Sequence, residues 1–123
     1  MDNKFSWRQR GNSFGYAFSG LKAVFRTEHN MWIHAALTAV ALLLGIWLRI
    51  SAAEWMSLLI VMTLVWMAEL FNTALEKTLD FISKEKHPQI KLVKDLSAAA
   101  VLVTAVAALI GGGIIFIPKL FLL

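Results

Sequence analysis

WMSLLIVMTLVWMAELFNTALEKTLD, residues 55–80, decides the fold. Its first part, Trp55 to about Ala74, is an apolar run of roughly 20 residues, the length that spans a bilayer as a helix. Its second part places Glu69, Asn72, Glu76 and Asp80 where a membrane helix ordinarily carries no acid. At about 100° per residue these four positions fall near 0°, −60°, −20° and +20° around a helix, so they share one narrow face. An acid at the bilayer centre costs about 2.5–3.5 kcal/mol on insertion-based scales, so a row of them marks a site. Counted at about 1.5 Å per residue from Trp55, Glu69 lies about 21 Å into a hydrocarbon layer of about 30 Å, just under one surface. Glu76 falls about 10 Å further on, just outside it. At this depth a lipid hydroxyl meets a water-soluble reagent.

Two further apolar runs flank this one, 31–48 and 96–117. With 123 residues, 59% of them hydrophobic, and a mean hydropathy of +0.67, the chain is predicted to be one all-α integral membrane unit over 1–123. Its three transmembrane helices are expected at 31–48, 55–74 and 96–117. Trp32, Trp47 and Trp55 sit at run ends as interface anchors, and Trp66 lies deep in a span. Upstream, residues 1–12 are expected to form a polar arm, with a helix starting at Asn12 or Ser13. Phe14, Phe18, Leu21 and Phe25 then recur at spacings of four, three and four, opposite Ser19, Lys22 and Arg26. That pattern predicts an amphipathic helix lying in the interface, within the segment 1–28. It serves either as an anchor or as a lid that brings Tyr16 and Glu28 beside the acids.

Lys4, Arg8, Arg10, Lys22 and Arg26 precede the first run, and Lys77, Lys84, Lys86, Lys91 and Lys94 lie between the second and third. Only Arg49 and Lys119 stand on the other side. The bias puts the N-terminus, the second loop and the acidic row in the cytoplasm. The net charge of +4 follows cations that border apolar spans, so headgroups or phosphates, rather than nucleic acid, are the expected partners. The first thirty residues lack the continuous apolar core of a cleavable signal. The absence of cysteine excludes disulfides and thiol catalysis. Pro88 predicts a helix break over Lys84–Pro88, with Lys91 to Asp95 opening the third span. Gly111, Gly112 and Gly113 read as a helix-packing surface. The phosphate-loop, dinucleotide, HExxH and GxSxG motifs are all missing.

Phosphoryl transfer needs a base or positioner for the acceptor, a metal on the phosphates and cations for developing charge. The chain offers each at one depth. Glu69 suits the base. Glu28 and Glu76 are hard oxygen ligands able to share a Mg²⁺ with nucleotide oxygens. Asn72 can orient acceptor or metal, and Lys94 is the phosphate cation, with Asp95 fixing its orientation or meeting the ribose. Simpler readings stand beside these: Glu28 as a helix-end charge, Asp80 paired with Lys77 or Lys84, and His87 as loop filler. His29 and His34 read as interfacial. A polar clamp between helices, an ion pathway and a small scaffold are the alternatives for the whole row.

The stretch from Glu69 to Asp80, followed by His87-Pro88, Lys94-Asp95 and the small run Ser97 to Ala100, resembles the prokaryotic diacylglycerol kinase family. Gly15-Tyr16, Gly20-Leu21 and Glu28 upstream fit the same resemblance, which covers nearly the whole chain. It implies a homotrimer in a bacterial inner membrane, with three spans per subunit, an N-terminal surface helix and active sites shared between neighbours. It also implies Mg-ATP-dependent phosphorylation of a lipid alcohol. Glu69 would be the catalytic base, and Glu28 and Glu76 would hold the metal. Tyr16, the loop Glu85, Lys86 and His87, and Lys94 and Asp95 would bind ATP. Arg10 and Ala98 would sit by the lipid. Within the family, Thr27-Glu28-His29-Asn30, His34, Ala53-Glu54-Trp55-Met56 and Phe116 to Lys119 look more like the undecaprenol kinase branch. The diacylglycerol branch typically carries a glutamate in place of His34 and a tryptophan in place of Phe18.

Overall fold

A computed structural model of the chain describes residues 4–123, and every element in it is helical: α1 (Trp7–Thr27), α2 (His29–Trp47), α3 (Ala52–Ile82) and α4 (Pro88–Phe121). The last three are long and apolar enough to cross a membrane. At about 1.5 Å per residue α3 and α4 measure about 46 and 51 Å, so both outrun the hydrocarbon layer.

Two helices begin earlier than the sequence suggests. α1 starts at Trp7, because the Ser6 hydroxyl accepts a hydrogen bond from the Gln9 amide and caps the first turn. Gly11 costs a helix only about 1 kcal/mol, too little to break it. Ser13 acts as an interior residue, donating to the Gln9 carbonyl at 2.9 Å. Residues 7–12 of the expected arm are therefore helical, and its first three lie outside the described residues. α4 opens at Pro88, whose missing N–H is no loss in a first turn. His87 caps it, Nδ1 accepting from the Gln89 amide at 3.1 Å.

Glu28 alone, in extended conformation, separates α1 from α2. The corner is fixed by Val24 and Met31, which are fully buried, and by Phe25. Its ring lies edge-on to Trp32 and Trp66 at 5.0 and 5.8 Å, while Trp32 Nε1 donates to the Phe25 carbonyl. Trp66 Nε1 donates to Thr38 Oγ1 at 3.0 Å, which ties α3 to α2. Trp66 is thus a polar cross-link as well as a half-buried ring.

At the opposite end α2 stops in a Schellman motif. The Ile50 amide donates to the Gly45 carbonyl and the Arg49 amide to that of Ile46. Arg49 supplies the left-handed residue, at φ 52°. Gly45 is required here for space: a Cβ would come within 2.6 Å of the Trp55 ring. A capping box between Ser51 and Glu54 starts α3, and Lys119 of α4 reaches Glu54 at 3.2 Å. The apolar core, Ile50, Leu58, Ile115 and Phe116, sits at this end. α3 packs chiefly on α4. The glycine run contributes little to that contact, since a Cβ at Gly112 would meet nothing and one at Gly111 would only touch Val61 at 3.8 Å.

Gly45→Ala should lower stability by about 1–3 kcal/mol, because Trp55 must leave its seat. Gly112→Ala should change it far less. Thermal unfolding of both variants in detergent checks the contrast.

Candidate functional site

The acidic row lies along α3 as its spacing requires, and its burial is graded. Glu69 is 1% exposed, Asn72 and Thr73 are buried, Glu76 is half-buried, and Asp80 is open. The row therefore runs from a dry end to a wet one within three turns of helix.

At the dry end Glu69 faces His34 of α2, with Oε2 and Nε2 3.4 Å apart. The two atoms do not make a hydrogen bond, and neither has another partner. Asn72 Oδ1 and Thr73 Oγ1 are likewise buried without partners. Asn72 Nδ2 lies 3.5 Å from Glu76 Oε1, a long contact down the same helix face. Ser97 of α4 is buried as well. Unpaired buried polar atoms cost about 1–3 kcal/mol each, so four together are the mark of a ligand site rather than of helix glue.

His34 also ends an apolar furrow of about 310 Å³ between α2, α3 and α4, which runs past Leu37, Leu44, Leu58, Val65 and Leu109 to Phe116. Apart from His34, its only side chain able to hydrogen-bond is that of Thr38. His34, read from sequence as interfacial, is half-buried against Glu69. Its ring reaches inward because α2 crosses α3 at Thr38 and Trp66, one turn from His34, a contact that spacing along α2 cannot reveal.

At the wet end the break between α3 and α4 forms a second cavity of about 630 Å³. Glu85, Lys86, His87, Lys94 and Asp95, all proposed for nucleotide from sequence, line it together with Asp80, Lys84 and Lys91. Lys94 Nζ is held by Asp80 at 2.7 Å, and Asp95 is taken by Lys91. Asp80 thus reaches across to α4 instead of pairing along its own helix, and it, rather than Asp95, orients Lys94. Asp80 lies beyond the 55–74 span. The Lys94 hydrogen bond, aided by the charges of Lys94, Lys84 and Lys77, outweighs desolvation and holds its carboxyl below the usual aspartate range. The pair accordingly persists at neutral pH and is lost only as pH falls through that lowered value.

The other expected residues stand apart from both cavities. Tyr16 and Arg10 are exposed on α1, with the Arg10 guanidinium 5.7 Å from the Phe5 ring, and Ala98 is exposed on α4. Glu28 is half-buried at the α1–α2 corner, and its carboxylate makes no hydrogen bond or ion pair among the described residues. No group of three or more acidic, histidine or cysteine side chains suited to a metal occurs among the described residues. His34, Thr73 and Ser97 are buried or half-buried polar residues to which the sequence reading gave no role in the site. Ser97 falls three residues after Lys94 and Thr73 directly after Asn72, a signal available in the sequence.

The family described as prokaryotic diacylglycerol kinase matches residues 15–116. The chain is 41% identical to the undecaprenol kinase of Bacillus subtilis (strain 168), over 88% of each chain. It is 36% identical to the diacylglycerol kinase of Synechocystis sp., over 95% of this chain and 69% of that one. It is 30% identical to the diacylglycerol kinase of Escherichia coli (strain K12), over 78% and 79%.

If the buried carboxylate waits for a ligand, removing it should stabilise the fold. Glu69→Leu is expected to raise stability by about 1–3 kcal/mol. A fall in melting temperature in detergent would instead identify Glu69 as a polar clamp.

Proposed function

The chain belongs to the prokaryotic diacylglycerol kinase family, and from that membership and the site on α3 and α4 we propose that it phosphorylates a membrane lipid alcohol with Mg-ATP. One observation carries the reading. A dry carboxylate, facing a histidine that lines an apolar furrow, is followed on the same helix face by polar groups leading to a cavity rich in lysine. A lipid kinase needs that sequence of environments, since its acceptor is apolar and its donor is a polyanion.

In this reading Glu69 takes the proton of the lipid hydroxyl. Asn72 orients the acceptor or the phosphates. Lys94, held by Asp80, meets phosphate charge, and Lys86, His87, Glu85 and Asp95 surround the nucleotide. Glu76 and Glu28 fit a Mg²⁺ by donor type, because this ion commonly takes one or two carboxylates with phosphate oxygens and needs no all-protein cage. When bound, the ion would offset charge on the phosphates. Tyr16, Arg10 and Ala98, exposed in a single chain, are available to a neighbouring copy, which supports a homotrimer with shared sites. α1 then lies on the cytoplasmic surface of a bacterial inner membrane, its N-terminus inside.

Undecaprenol is the acceptor we favour, with diacylglycerol as the alternative. The kinship to the Bacillus undecaprenol kinase supports it, as does His34 at the end of a furrow with almost no polar lining. An ion pathway is disfavoured by the other half of α3, where Leu58 and Val65 fill the buried face; the next acid, Glu54, stands about four turns away at the far end and is held by Ser51 and Lys119. A pure scaffold would have no use for a buried, unpaired Glu69.

Glu69→Gln and Glu76→Gln should each lower lipid-dependent ATP consumption at least 10²-fold while leaving the oligomer intact by size-exclusion chromatography. Chelating Mg²⁺ should abolish turnover. Full activity in both variants would sink the proposal. With undecaprenol and diacylglycerol at matched mole fraction in mixed micelles, higher kcat/KM is expected for undecaprenol.

A further inference from the structure

His34 Nε2 and Glu69 Oε2 are buried, face each other and remain unpaired at 3.4 Å. A structural ion pair in a dry interior would close to a charge-assisted hydrogen bond of about 2.7–2.9 Å. The gap instead suits a third polar atom. An oxygen about 2.8 Å from each of two atoms 3.4 Å apart subtends an angle near 75°, open enough for it to accept from one and donate to the other. His34 also lines the apolar furrow, so a hydrocarbon chain lying there has its polar end beside this pair. Thr38, the other polar side chain along the furrow, is already engaged, donating to the His34 carbonyl and accepting from Trp66.

We propose that His34 is a substrate-contacting catalytic residue that seats the acceptor hydroxyl between its Nε2–H and Glu69 Oε2. The assignment rests on the lipid-kinase reading above and adds a role for a second residue within it. With the proton of the neutral imidazole on Nε2, that N–H donates to one lone pair of the hydroxyl oxygen. The hydroxyl proton is thereby directed to Glu69. As it passes to Glu69 Oε2, the oxygen's remaining pair forms the bond to the γ-phosphorus of ATP. The bond from that phosphorus to the β,γ-bridging oxygen breaks, and ADP leaves with the electron pair. His34 gains and loses nothing; it fixes direction, and misdirection of a reacting atom can cost about 10²-fold.

Two substitutions separate this role from simple space filling. His34→Gln keeps an N–H donor, whereas His34→Phe keeps a ring and removes the donor. With undecaprenol and Mg-ATP in mixed micelles, His34→Phe should lose about 10²-fold in kcat with little change in the KM for ATP. His34→Gln should recover most of that loss. Size-exclusion profile and melting temperature identify variants that have misfolded, and if His34→Phe has, His34→Leu takes its place as the donor-free variant. Wild-type kcat in the folded donor-free variant, or equal losses in it and His34→Gln, would overturn the assignment. An inactive wild-type protein would instead count against the lipid-kinase reading, so the two failures are distinguishable.

Discussion

Everything functional in this chain depends on keeping a carboxylate dry near the edge of a bilayer. Glu69, carried by α3, is covered by His34 of α2, and α3 is packed along α4. Desolvating a carboxylate costs several kcal/mol, and no hydrogen bond to Glu69 Oε2 offsets that here. The offsetting stability comes from elsewhere in the molecule. It is concentrated in the Val24, Met31, Phe25, Trp32 and Trp66 corner beside the site, and in the Ile50, Leu58, Ile115 and Phe116 core at the far end.

The two ends of the bundle consequently obey different rules. At the α2–α3 turn the chain is close-packed, with Trp55 resting on Gly45, a completed Schellman motif and Glu54 shared between Ser51 and Lys119. At the other end α3 and α4 are held by the Asp80–Lys94 pair, and the five residues 83–87 bridge them across a cavity of about 630 Å³. Exposed ion pairs contribute little to stability, so this end can rearrange around a nucleotide without loss to the fold.

Much of this was legible in the sequence because the bilayer enforces simple rules. Length and hydropathy located three spans, and helical periodicity put Glu69, Asn72, Glu76 and Asp80 on one face, where the structure has them. The two helix starts differ from expectation for local reasons: Ser6 supplies a cap ahead of Asn12 and Ser13, and Pro88, part of the expected break, serves as a first-turn residue. The contact of His34 with Glu69 is not legible, since the two are 35 positions apart and their meeting depends on how α2 crosses α3. The Asp80–Lys94 pair was hidden for the same reason: periodicity reports neighbours within a helix and is silent about those across it.

The burial gradient along α3 also addresses a problem any lipid kinase on this plan must solve. Water is the most abundant hydroxyl in the cell, and a base that could reach it would spend ATP on hydrolysis. At 1% exposure Glu69 is shut off from bulk water, as the base of the proposed mechanism has to be, while Asp80 and the lysines eleven or more residues away stay wet, as the proposed nucleotide site requires. An acceptor must then arrive through the apolar side, where only a group tethered to hydrocarbon can approach. Selection of a lipid over water thus needs no dedicated recognition of either. It follows from the depth at which one helix face passes from dry to wet, a property set by the spacing of Glu69, Asn72, Glu76 and Asp80.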